Sequence, residues 1–184
     1  MSSAPFEDFG LTEAAWDALA RAELLALDVD GTLTDGRVIY VGEAESQQFC
    51  VRDGQGLAWL RQAGVRLAWI TGRGSKPTER RAAELGVAVF HPRSGPKDEV
   101  LAAVQAELGI APERTIAMGD DLPDLLLARR AGFFAAPADA RDEVLARADW
   151  IAPACGGDGA VRALCELVLR ARGDWDALLA RYGE

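Results

Sequence analysis

At 184 residues, 49% of them hydrophobic, the chain suits one domain of ordinary size, able to bury roughly 70% of its unfolded surface. Its 20 Lys and Arg against 29 Asp and Glu leave a net charge of -9, which makes nucleic acid and anionic membrane poor partners. The single histidine, His91, and three cysteines without a C-x-x-C pair (Cys50, Cys155 and Cys165) exclude multi-histidine metal sites and set zinc and dithiol chemistry aside.

In chain order, the first 25 residues carry Glu7, Asp8, Glu13 and Asp17 where an export signal needs basic and apolar stretches. No apolar run approaches the roughly 20 residues that span a bilayer, so a cytoplasmic setting is expected. A helix is expected over 11–21, followed by short apolar runs at 24–28, 65–70, 87–90, 115–118 and 133–135 that read as buried strands. Between them, 54–63, 76–85, 97–108, 122–130 and 141–146 have the Ala and Leu spacing of helices, with Gly64, Gly86, Gly109 and Gly132 placed as helix stops. Two further helices are expected over 159–172 and 174–182.

Repeated strand and helix alternation predicts an α/β, doubly wound fold: a mainly parallel sheet with helices on both faces, because parallel strands require crossover helices. One segment breaks the rhythm. Residues 36–40 and 47–51 are β-prone and joined by the turn-rich 41–46, which predicts a β-hairpin inserted at about 36–51. No Ser- or Pro-rich linker divides the chain, so residues 1–184 are read as a single domain.

The residues that carry chemistry follow the strands. Asp28-Val29-Asp30-Gly31-Thr32 succeeds the apolar run 24–27, and open α/β sheets bind ligands beyond the carboxyl ends of their strands. Residues two apart in extended chain point the same way, so Asp28 and Asp30 can share a site, and Mg²⁺ is the simplest means of keeping both ionised. Ile70-Thr71-Gly72-Arg73 offers a hydroxyl and backbone amides for an anion. Lys97 opens the helix after the third strand, and Gly119-Asp120-Asp121-Leu122-Pro123-Asp124 follows the fourth.

In that order, Asp28-x-Asp30-Gly31-Thr32, Thr71, Lys97 and Gly119-Asp120-x-x-x-Asp124 resemble the four motifs of the haloacid dehalogenase-like (HAD) phosphatase superfamily, across essentially 24–172. More narrowly, residues 28–36, the hairpin, Val51-Arg52-Asp53-Gly54, Ile70-Thr71-Gly72-Arg73 and Gly119-Asp120-Asp121 look like the 3-deoxy-D-manno-octulosonate 8-phosphate (KDO 8-phosphate) phosphatases. The resemblance implies a Rossmann-like HAD fold without a large cap domain, a Mg²⁺-dependent phosphomonoesterase acting on a phosphorylated 3-deoxy-2-keto sugar acid, and a role in lipopolysaccharide synthesis. It also implies a homotetramer in which the inserted hairpins assemble and a neighbouring subunit helps close the site.

Carried over by position, the resemblance makes Asp28 the nucleophile and Asp30 the general acid. Asp28, Asp120 and the main-chain oxygen of Asp30 would hold Mg²⁺. Thr71, Gly72 and Lys97 would bind the phosphoryl oxygens, with Asp121 and Asp124 orienting a water or Lys97 from behind. Arg52, Asp53, Gly54, Arg73 and Arg81 would line the sugar-acid site, where a guanidinium fork suits a carboxylate. Two departures bear on substrate: Cys50 stands where the family carries asparagine, and Asp158 replaces an arginine. A nonulosonate 9-phosphate or another small phosphomonoester is therefore the alternative substrate, and a non-catalytic partner subunit of a sugar-acid cytidylyltransferase is the alternative class.

Overall fold

Residues 6–183 are described by a computed structural model. In chain order they form α1 (Glu13–Ala20), β1 (Leu24–Leu27), β2 (Ile39–Val41), β3 (Ala44–Ser46), α2 (Val51–Gln62), β4 (Arg66–Ile70), α3 (Lys76–Leu85) and β5 (Val89–His91). There follow α4 (Lys97–Leu108), β6 (Thr115–Met118), α5 (Leu125–Ala128), β7 (Phe133–Ala136), α6 (Asp142–Leu145), β8 (Trp150–Ile151), α7 (Ala160–Ala171) and α8 (Trp175–Ala180).

Six strands make one sheet in the order β5-β4-β1-β6-β7-β8, every neighbouring pair parallel. Both faces are covered, so the strands read as unbroken apolar runs rather than as alternation. The pleat nevertheless sorts the side chains. Leu25, Leu27, Leu67, Trp69, Ile116 and Met118 face a core completed by α1, α2 and α7, whereas Leu24, Ala26, Ala68, Ile70 and Ala117 face α4, α5 and α6. From β1 the chain steps outward to β4 and β5, then α4 returns it to β6 on the other side of β1. That reversal is the switch point of a doubly wound sheet, and it opens a crevice at the carboxyl end of β1.

The expected hairpin is present with different strands. β2 pairs antiparallel with β3, Tyr40 opposite Glu45, across a tight turn at Gly42 and Glu43. The return strand thus lies inside the stretch read as a loop, and 47–50 is irregular chain leading into α2 at Val51. The expected helix over 122–130 is shorter, a 3-10 turn at Leu122–Asp124 followed by the four-residue α5. Gly86 and Gly109 end α3 and α4 in the left-handed conformation, while Gly132 is no helix stop: it presses against the backbone of Glu113. The sixth strand, β8, was absent from the sequence reading because two residues leave no periodicity to detect. Cys165 fills the core, whereas Cys155 is exposed.

Candidate active site

The first acidic residues are placed by the end of β1. The Asp28 amide donates to the Met118 carbonyl at 3.0 Å, continuing the ladder one residue past the strand. The chain then turns sharply, with Val29 O accepting from the amides of Leu33 and Thr34. Thr34 braces the turn, its hydroxyl accepting from the Gly31 and Gly36 amides at 3.3 Å each. Gly31 sits at φ +101, and a Cβ there would meet Asp120 Oδ2 at 2.1 Å. Only glycine allows both the left-handed turn and the approach of the Asp120 carboxylate.

One half of the site is an acidic cluster with a buried lysine. Lys97, the first residue of α4, extends its ammonium to Asp28 Oδ1 at 2.6 Å and Asp124 Oδ1 at 2.5 Å. Asp124 is fully engaged, since its Oδ2 also accepts from the amides of Asp120 and Asp121 at 2.9 and 3.1 Å. The Asp121 carboxylate caps the short 3-10 turn through the Leu122 amide at 2.8 Å. Asp120 Oδ1 accepts from Thr32 Oγ1 at 3.0 Å, leaving Oδ2 without a protein donor of its own in these contacts.

Carboxylate oxygens of Asp28, Asp120 and Asp124 lie within 4.8 Å of one another. Burial, then repulsion from Asp124, pushes the Asp28 carboxyl well above its ordinary range despite the Lys97 ammonium. Burial and Asp124 likewise push Asp120 up to about 6. Burial would depress Lys97, but its two carboxylate partners outweigh burial and raise it, so the ammonium stays charged. The donor set is all oxygen and over-supplied with negative charge, the environment a hard divalent cation would relieve.

The other half forms around Asp30. Asp28 and Asp30 line the same 170 Å³ cleft together with Thr71, Gly72, Arg73, Lys97, Asp121 and Asp124, but their carboxylates have different partners. Asp30 Oδ2 accepts from Thr71 Oγ1 at 3.2 Å, and Oδ1 accepts from Gln47 Nε2 at 2.8 Å. The Arg73 Nε lies 3.7 Å from Oδ1, while its Nη2 donates to Glu45 of β3 at 2.8 Å. The hairpin therefore reaches the cleft through two residues of its return limb, Glu45 and Gln47.

The remaining expected site residues divide. Arg52 is exposed and pairs with Asp158 of the same chain at 3.3 Å. Asp53 turns away from the cleft: it is buried, and its Oδ1 accepts from the Arg162 amide at 2.7 Å, capping the entrance of α7. Gly54 makes room for Arg81, whose Nη2 would lie 2.2 Å from a Cβ at that position. Arg81 in turn borders a separate 400 Å³ groove with Glu45, Gln47, Phe49, Lys76 and Arg80. Cys50 precedes α2 and makes no side-chain cap.

The sequence assigns no role to the side chains of Thr32, Gln47 and Glu45. Thr32 lies within the first motif and could have been weighed as a carboxylate donor, but nothing local marks Gln47 or Glu45, whose partners lie 17 and 28 residues away. Chemically, the cleft places a carboxylate beside an ammonium, a second carboxylate beside hydroxyl and amide donors, and an oxygen-rich pocket between them. It is suited to in-line transfer of a phosphoryl group.

Comparison with known proteins gives the same direction. The model of haloacid dehalogenase-like hydrolases matches residues 43–132. The chain is 40% identical over 165 residues to 3-deoxy-D-manno-octulosonate 8-phosphate phosphatase KdsC of Escherichia coli K12, covering 87% of each. Among solved structures, the octulosonate 8-phosphate phosphatase of Moraxella catarrhalis, in complex with magnesium, phosphate and KDO, is 40% identical with a TM-score of 0.89, over 91% of this chain and 97% of that one. A hypothetical protein of Xanthomonas campestris is 39% identical with a TM-score of 0.91 and full coverage of both chains.

Proposed function

The chain belongs to the 3-deoxy-D-manno-octulosonate 8-phosphate phosphatases of the haloacid dehalogenase-like hydrolases, and we propose that it is a Mg²⁺-dependent phosphomonoesterase acting on octulosonate 8-phosphate. The observation that carries this reading is the convergence of Asp28, Asp30, Thr71 and Lys97, from two different strand ends and one helix start, on a single cleft at the switch point.

Asp28 is the nucleophile. Its carboxylate attacks phosphorus and forms an aspartyl-phosphate, and Asp30 gives a proton to the leaving alcohol, then takes one from the water that hydrolyses the intermediate. Thr71, the Gly72 amide and Lys97 hold the phosphoryl oxygens. The all-oxygen cluster fits Mg²⁺, which Asp28, Asp120 and the main-chain oxygen of Asp30 would hold. When bound, the ion neutralises phosphate charge that would otherwise repel the attacking carboxylate. Asp124, with both oxygens already engaged, orients Lys97 and the Asp120 backbone, and Asp121 shapes the turn that carries them.

Arg73 in the cleft, with Arg81 on the neighbouring groove and the exposed Arg52, would receive the sugar acid's carboxylate. Asp53 and Gly54 serve this side indirectly, one by seating α7 and the other by admitting Arg81. The exposed Ile39, Tyr40 and Val41 of the hairpin, with Val51, support assembly into a homotetramer. Residues 1–184 act as one domain, in the cytoplasm, a setting consistent with three free cysteines.

The test is phosphate release from a panel of octulosonate 8-phosphate, nonulosonate 9-phosphates and common sugar phosphates, each with Mg²⁺ or EDTA. Octulosonate 8-phosphate is expected to give the highest kcat/KM, abolished by EDTA. A nonulosonate phosphate turning over faster would reassign the substrate, and no turnover of any ester would return the chain to a non-catalytic role.

A further inference from the structure

We propose that Gln47 is a positioning residue for Asp30: its carboxamide, locked by two hydroxyls at the entrance of α3, holds the Asp30 carboxylate in the orientation that proton transfer requires. The proposal rests on the reading of Asp30 as the general acid.

Gln47 Nε2 donates to Asp30 Oδ1 at 2.8 Å, and Gln47 Oε1 accepts from Ser75 Oγ at 2.5 Å and Thr78 Oγ1 at 2.6 Å. This orientation of the amide is dictated by its neighbours. Ser75 Oγ already accepts from the Thr78 amide at 3.2 Å as the cap of α3, and the two hydroxyls, 2.9 Å apart, hold at least one proton for the Gln47 oxygen even where one donates to the other. Turning the amide over would set its oxygen against the Asp30 carboxylate. A glutamine has several rotatable bonds to freeze, and two short hydroxyl contacts freeze this one before it meets Asp30.

Arg73 does not duplicate the role, since its Nε is 3.7 Å from Oδ1, beyond hydrogen-bond reach, and its Nη2 is held by Glu45. Gln47 donates to Oδ1, which leaves Oδ2, the oxygen that accepts from the Thr71 hydroxyl at 3.2 Å, as the one that would exchange a proton with the leaving group. As the bond from Asp28 to phosphorus forms and the bond from phosphorus to the leaving oxygen breaks, the electron pair goes to that oxygen, and the general acid would supply its proton from Oδ2.

The role is read by a leaving-group comparison. Phenyl and p-nitrophenyl phosphate have nearly the same shape, but p-nitrophenol leaves readily without a proton and phenol does not. Because kcat/KM covers steps only up to release of the alcohol, it isolates the acid's part. In the tetramer-competent full chain with Mg²⁺, Gln47→Leu is expected to lower kcat/KM for phenyl phosphate about 10-fold more than for p-nitrophenyl phosphate, the scale of one hydrogen bond to a charged group. Thr78→Val, which removes one hydroxyl and leaves Gln47 in place, should show the same preference to a smaller degree. Asp30→Asn serves as the reference. If Asp30→Asn discriminates between the esters while Gln47→Leu and Thr78→Val lower both equally or neither, the positioning role is overturned. If Asp30→Asn itself does not discriminate, the general-acid reading falls and takes the role of Gln47 with it.

Discussion

Asp28, Asp120 and Asp124 crowd three carboxylates around one ammonium, and the surplus of negative charge gives the site a measurable pH signature. The folded-state carboxyl of Asp120 is raised to about 6 from an ordinary 3.8, and that of Asp28 is raised in the same direction. A raised carboxyl binds protons more tightly in the folded protein than in the unfolded chain. In the metal-free protein these groups therefore favour folding at low pH, and that contribution is lost as pH rises from about 4 through about 6. Mg²⁺ requires the ionised forms, so its effect has the opposite trend. Thermal unfolding with EDTA or saturating MgCl₂ should show a rise in Tm on adding Mg²⁺ that is at least about twofold larger at about pH 7.5 than at about pH 5. An equal or larger rise at the lower pH would contradict the charge balance described for this cluster.

At the scale of elements, the legible parts of the fold were those written in local pattern. The run Leu24–Leu27 declared a buried strand, and the acids that follow it declared a strand-end site, because strand geometry and loop chemistry are both contiguous in sequence. The hairpin strands were misplaced because β-propensity spreads over 36–51, whereas the register is fixed by the single tight turn at Gly42 and Glu43. Asp53 shows another limit of local pattern. The resemblance places it on the sugar-acid side, while its side chain accepts from the Arg162 amide, 109 residues on, and no local signal announces a helix cap donated by another helix. Among the described residues the carboxylate's contacts are the Arg162 and Gly159 amides, and burial raises the carboxyl, so the residue works as a cap under strain of desolvation. Asp53→Ala should cost about 1–2 kcal/mol of stability, the ordinary value of a helix cap, lowering Tm by about 2–4 °C per kcal/mol. Its KM for the phosphate ester should stay within about threefold of the parent. A large rise in KM with unchanged Tm would restore Asp53 to the substrate surface.

Across the whole molecule, catalytic parts from β1, β4, α4 and β6 meet because the sheet reverses its winding beside β1, while the hairpin inserted after β1 contributes polar residues inward and apolar ones outward. Tyr40 is 70% exposed and Val41 66%, yet Glu45 and Gln47 on the return limb reach Arg73 and Asp30. The same ribbon thus joins the proposed subunit interface to the cleft. Val41→Asp places a charge on that surface without touching the core, and light scattering should show the assembly falling to smaller species while circular dichroism is unchanged. Persistence of the same assembly in the variant would remove the hairpin from the interface, and a parent protein that is monomeric at working concentration would remove the tetramer itself.

The most direct test of the catalytic account is phosphate release from octulosonate 8-phosphate at saturating Mg²⁺ by the parent protein and by Asp28→Asn. The substitution keeps the shape of the side chain and an acceptor for Lys97, but takes away the anionic nucleophile. The account predicts that kcat falls by about 10⁴-fold or more, the scale on which removed nucleophiles act, with folding intact by circular dichroism. Turnover by Asp28→Asn within tenfold of the parent, at equal purity, would contradict it.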